Sequence, residues 1–177
     1  MLALVGIYLA HMCGLYSVKK VHQYGFKAIL KGKSSRDVRQ NIDSFLKHNL
    51  SSLFRPYLLE KLAIAQKQGA YVVLLSSSPD CIVEPIARHL GIPITMATSY
   101  TMQGAQYLEI AHIVTGKSKQ QFVQDFKKNH DVTEVIAYSD SIQDLLLLES
   151  VDTPIVICPD KKLQKLAQKK GWEIWCD

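Results

Sequence analysis

No two cysteines of this chain stand close enough in sequence to suggest a shared metal. Cys13, Cys81, Cys158 and Cys176 are widely spaced, with no Cys-x-x-Cys and no histidine pair beside them. That excludes the common zinc patterns and a disulfide framework, and reduced thiols in a cytoplasmic protein are the expectation. A membrane span is missing too. The apolar opening, Met1 to Leu15, is interrupted by Gly6, His11, Cys13 and Gly14, and it falls short of the roughly 20 residues a bilayer demands. Its first basic residues, Lys19 and Lys20, follow the apolar run, which is the wrong order for a signal peptide. Gly116-Lys117-Ser118 lacks the glycine that a nucleotide-binding loop needs five residues earlier, where Ala111 stands instead. Internal repeats and low-complexity segments are absent. A net charge of +5 suits an anionic ligand, but without a basic patch and a reading motif it does not argue for nucleic acid.

The chain does have the makings of one buried core: 177 residues, 47% hydrophobic and 21% charged. Residues 1–57 read as helical. Val18 to Leu30 suggests a short helix stopped at Lys31-Gly32-Lys33, and Ser34 caps a second one carrying Val38, Ile42, Phe45 and Leu46. Pro56 fits the first turn of a third. From residue 58 onward a different grammar takes over. Gly69, Gly91 and Gly171 each end a helix and precede an apolar strand, at residues 70–76, 92–97 and 172–175. Further strands are expected at 134–138 and 154–158, with 107–115 as an antiparallel excursion. Helix, glycine, buried strand, repeated, predicts an α/β fold with a mostly parallel sheet.

Three stretches could carry chemistry. In the first, a buried strand ends in Ser76-Ser77-Ser78 before a helix, an arrangement of hydroxyls and free N–H groups that can cradle phosphate. The plainer alternative is that Ser78 or Asp80 simply caps the helix. In the second, Thr115-Gly116-Lys117-Ser118-Lys119 opens a helix with two lysines, where a cation is unfavourable and needs another reason to be. In the third, the strand at 134–138 ends in Ser139-Asp140-Ser141, with Asp144 one turn on. Two carboxylates at a strand's carboxyl end can hold a hard cation, although Ser141-x-x-Asp144 also fits an ordinary helix start.

Taken in order, these residues resemble the haloacid dehalogenase superfamily, in its phosphoserine-phosphatase-like branch. The resemblance implies a Rossmann-like core over residues 58–177 with a helical cap-like region at 1–57. It implies that Ser76 and Ser77 bind the transferring phosphate and that Lys119, in Gly116-x-x-Lys119, neutralises it, with Ser76 and Lys119 as the catalytic residues present. Asp140 and Asp144, in Tyr138-Ser-Asp-Ser-Ile-Gln-Asp144, would serve magnesium, Asp140 directly and Asp144 through metal-bound waters and the lysine. Ser139 stands where the family usually has glycine. The family's first motif, Asp-x-Asp-x-Thr/Val, has no counterpart: no Asp-x-Asp occurs in the chain, and its first acidic residue is Asp37. No nucleophile is therefore identified. The strand bearing that motif would lie between those at 70–76 and 134–138, leaving a gap of roughly 9.6 Å unless something fills it. Leu2–Leu9 is apolar enough to do so. A shortened reading frame, a rearranged sheet or a chain that folds poorly alone are the expected alternatives.

The function these features imply is a magnesium-dependent phosphatase acting on a small phosphorylated metabolite, impaired by the lack of its aspartate. The alternatives are an inactive relative that keeps some phosphate or metal binding, and an anion-binding module using the stripe of Lys161, Lys165 and Lys169. Self-association is expected from the apolar opening and the sheet gap; nucleic acid and a membrane span are not.

Overall fold

The computed structural model describes residues 17–176, so the readings made for Met1 to Leu15, including Leu2–Leu9 as a filler strand, fall outside the described residues. The chain divides into two compact units, Met1–Ile113 and Val114–Asp177.

The first described element of the first unit is helix α1 (Val18–Gly25), whose cap is the Ser17 hydroxyl accepting from the Lys20 N–H. It runs on into one wider, π-helical turn, Phe26–Leu30. That turn aims Phe26 and Leu30 at Tyr107, with Val38, Cys81, Tyr100 and Ile110 packed around them. Phe26 stacks on Tyr100 at 5.3 Å, and Tyr107 meets Tyr100 edge-on at 5.8 Å; both are favoured arrangements of aromatic quadrupoles. Ser34 caps α2 (Ser35–Leu53), as its sequence suggests, and Pro56 opens α3 (Pro56–Lys67). Then come β1 (Val73–Pro79), α4 (Asp80–His89), β2 (Ile94–Gln103) and β3 (Gln106–His112). β1 and β2 are parallel, while β3 returns antiparallel to β2, the excursion expected at 107–115.

The second unit is built from α5 (Gly116–Asn129), β4 (Ile136–Ser139), a 3-10 turn (Ile142–Asp144) and the short α6 (Leu145–Leu148). β5 (Thr153–Ile157), α7 (Lys161–Lys170) and β6 (Glu173–Trp175) complete it. Its three strands are all parallel, in the order β4-β5-β6. β5 is central and reads as a continuous apolar run: Ile155, Val156 and Ile157 are buried, as befits a strand covered on both faces. Leu148, Leu163 and Ala167 are buried as well.

The chain is thus a mixed α/β protein with helices alternating with mostly parallel strands. Among the described residues β1 pairs only with β2, and β4 only with β5, so each has one edge without a described partner. Gly69, Gly91 and Gly171 adopt φ of +72°, +64° and +69°. These are left-handed conformations that end helices cheaply only at glycine.

Candidate functional site

Lys119 is where it should not be on propensity alone. It lies in the first turn of α5 and is 5% exposed, yet a buried cation near a helix N-terminus opposes both solvation and the dipole. The reason is Asp144. The Lys119 ammonium donates to both carboxylate oxygens, Oδ1 at 2.8 Å and Oδ2 at 2.9 Å. A buried charge is tolerable when its partner offers this geometry. The Ser139 hydroxyl adds a third bond, donating to Asp144 Oδ2 at 2.9 Å. Its oxygen also accepts from the Ser141 N–H at 3.2 Å, which ties the end of β4 to the loop that follows.

Two local features bring α5 to this loop. Thr115 and Ser118 form a reciprocal capping box, each hydroxyl accepting from the other's backbone N–H. Gly116 packs so tightly against the Gln143 carbonyl oxygen that a Cβ there would overlap it. The glycine in Gly116-x-x-Lys119 is therefore needed for close approach, since its own φ is unexceptional. Sequence pattern supplied its position but not this reason.

Asp140 follows β4 directly and is exposed. Its carbonyl accepts from the Asp160 N–H at 3.1 Å. Asp144 is engaged by Lys119 and Ser139, which leaves Asp140 as the carboxylate of the pair facing solvent. Among the described residues no group of three or more His, Cys, Asp or Glu side chains converges as a metal site. One open carboxylate still suits magnesium, which keeps several waters and takes one or two carboxylates plus phosphate oxygens.

Ser139 and Asp160 are the residues that sequence reasoning undervalued. Ser139 was notable only as a replacement for glycine. It does not carry a positive φ, so the serine is unstrained, and its hydroxyl is a working contact with Asp144. Asp160 drew no reading from the sequence, and nothing local signals that its second oxygen accepts from the Ile142 N–H at 3.0 Å. Burial pushes the Asp160 carboxyl up, but the N–H groups of Leu163, Ile142 and Lys162 outweigh it and hold it below the usual range.

The serine run lies in the first unit. β1 does not stop at Ser76 before a capped helix, as expected; it takes four steps from Leu75 to Pro79 where β2 takes two from Met96 to Thr98. The extra residues bulge, and bulges re-aim backbone groups at the ends of strands. Within the bulge Ser76 Oγ accepts from the Ser78 N–H at 3.1 Å, and the Ser77 carbonyl accepts from the fully buried Thr98 hydroxyl at 2.7 Å. The cap reading of Ser78 and Asp80 fails: Pro79 occupies the N-cap of α4 with no side-chain bond, and Asp80 Oδ1 accepts only from its neighbour, the Cys81 N–H, at 2.7 Å.

The chain is similar to a Mycobacterium tuberculosis protein described as a probable phosphatase. The two are 34% identical over 145 residues, covering 78% of this chain and 50% of the relative. The chain spans about half the length of the curated relatives it matches first. In fold it is similar to a Bordetella pertussis protein of unknown function, at a TM-score of 0.85 and 20% identity, over 96% of this chain and 78% of the other. A phospho-aspartyl intermediate analogue of phosphoserine phosphatase shares the fold at a TM-score of 0.71 and 16% identity, covering 98% of this chain and 78% of the other. The haloacid dehalogenase-like hydrolase model matches residues 3–149, a span that takes in the serine bulge, the buried lysine and its aspartate alike, and the chain belongs to that family.

Proposed function

We propose that the chain provides the charge-neutralising part of a magnesium-dependent phosphomonoester hydrolase that acts on a small phosphorylated metabolite. The observation that carries this reading is the Lys119 ammonium, buried and held by both oxygens of Asp144 beside an exposed Asp140. Phosphoryl transfer asks a protein mainly for positioning and for positive charge near the phosphate oxygens. Lys119 supplies such a charge in a fixed place, because Asp144 and Ser139 restrict where its ammonium can go. Asp140 would be the residue that holds magnesium, and Asp144 would act through Lys119 and metal-bound water. When bound, magnesium would add further neutralisation of the phosphate. Ser76 and Ser77, in their own bulge, are candidate phosphate contacts through hydroxyl and N–H groups.

One structure of a phosphoserine phosphatase with this fold shows an analogue of a phospho-aspartyl intermediate, and such an intermediate belongs to covalent catalysis through a carboxylate. These 177 residues contain no Asp-x-Asp, so that carboxylate is not assigned to any of them. Asp140 and Asp144 already have other work in this reading.

The test is to titrate the 177-residue chain with magnesium and inorganic phosphate while following thermal stability, and to assay an aryl phosphate in parallel. The expected result is a magnesium-dependent stabilisation that Asp140→Asn removes, with no turnover. Absence of any response to either ion would sink the reading. Robust turnover abolished by Asp140→Asn would instead show a nucleophile among the present residues.

A further inference from the structure

Asp160 serves α7 with one carboxylate oxygen and its carbonyl, and turns its second carboxylate oxygen and its N–H to another segment. Oδ1 accepts from the N–H groups of Lys162 and Leu163, both at 2.9 Å, and that alone completes a cap. Oδ2 accepts from the Ile142 N–H at 3.0 Å, a residue eighteen positions earlier. The Asp160 N–H donates to the Asp140 carbonyl at 3.1 Å. One residue therefore grips the backbone on both sides of Ser141, inside the loop that runs from Asp140 to Asp144. The approach to Asp160 is itself unusual. Cys158 has a φ of +39°, and among the described residues it is the one non-glycine with a positive φ. Chains adopt that conformation where the surroundings over-determine it. The Cys158 N–H is fixed to the Trp175 carbonyl at 2.8 Å.

We propose that Asp160 is a positioning residue for the candidate site, fixing the loop that carries Asp140 and Asp144 from a helix that begins beyond them in sequence. Its effect on metal binding rests on the reading of Asp140 as a magnesium ligand; its grip on the loop does not. The grip needs two acceptor oxygens. Asparagine would keep the cap through its carbonyl oxygen but would turn an NH₂ donor towards the Ile142 N–H. Serine would keep a cap acceptor and remove the second oxygen.

The experiment uses the full chain, as wild type and as Asp160→Asn and Asp160→Ser. Residue-resolved amide hydrogen exchange is compared at Ile142, Lys162 and Leu163, and magnesium is titrated against the amide resonances of the loop. In both variants Ile142 exchange should rise about tenfold or more while Lys162 and Leu163 stay near wild type. Magnesium affinity should fall by about ten- to a hundredfold, the usual cost of losing a residue that orients a ligand. Unchanged exchange at Ile142, or an equal rise at all three amides, would overturn the proposal and leave a plain helix cap. A wild-type chain that ignores magnesium would remove Asp140 as a ligand, and the exchange at Ile142 would then decide for or against Asp160 by itself.

Discussion

At the scale of residues, the buried pair sets the largest expected effects. Removing the lysine in Lys119→Met leaves the Asp144 carboxylate, only 14% exposed, without its counter-ion. The expected loss is about 3–5 kcal/mol, measured by urea unfolding. The double variant Lys119→Met/Asp144→Leu should recover much of that loss, because replacing both charges removes the uncompensated one. Ser139→Gly would remove the hydroxyl bonded to a carboxylate, at about 1.5–3 kcal/mol. The backbone should accept glycine readily, so the loss measures the bond. Gly116→Ala is predicted to cost at least about 1–3 kcal/mol, since its Cβ would push against the Gln143 backbone, which has no side-chain freedom with which to yield. All four substitutions act within the second unit and meet at Asp144 or its neighbour, so their effects are not expected to add.

At the scale of elements, what was legible in the sequence followed local rules. The C-terminal glycines, the Ser34 cap, the Pro56 helix start and the apolar run of β5 all depend on neighbouring residues, and each appears where its pattern put it. The reading weakened wherever the decisive partner lay far along the chain. The bulge at Ser76–Ser78 is defined by register against β2, which no local pattern records. Lys119 looked misplaced until Asp144, twenty-five residues on, explained it. Asp160 went unread altogether, its grip on Ile142 lying eighteen residues away. The junction of β5 and α7 also carries a prediction. Cys158→Gly should leave stability unchanged or raise it by up to about 1 kcal/mol, because glycine adopts the positive φ without the Cβ penalty. Gly171→Ala should instead lower stability by about 1 kcal/mol, the φ of +69° being kept by the α7 end.

At the scale of the whole chain, acid should act in opposite senses on the two units. Asp160 and Asp152 both sit below the usual carboxylate value of 3.8 when folded. In Asp152 the cause is first the Lys127 ammonium and then the Val135 N–H. A depressed carboxyl contributes stability above the unfolded value and loses it as pH falls through the folded one. Asp80, in the first unit, is raised by burial, with the Cys81 N–H opposing and Glu84 adding to it. Protonation there relieves a cost, so falling pH favours the first unit at that position. Peptide-resolved hydrogen exchange taken downward from pH 5 should therefore show residues 114–177 losing protection before residues 17–113; simultaneous loss, or the reverse order, would count against this assignment of the shifts. The seclusion of Lys119 has one more consequence, a practical one. Among the described residues it is the one buried lysine, so amine-reactive acylating reagents should label the surface lysines quickly and this one last. Its labelling rate, read by mass spectrometry, then becomes a reporter of how often the contact between α5 and the loop after β4 opens.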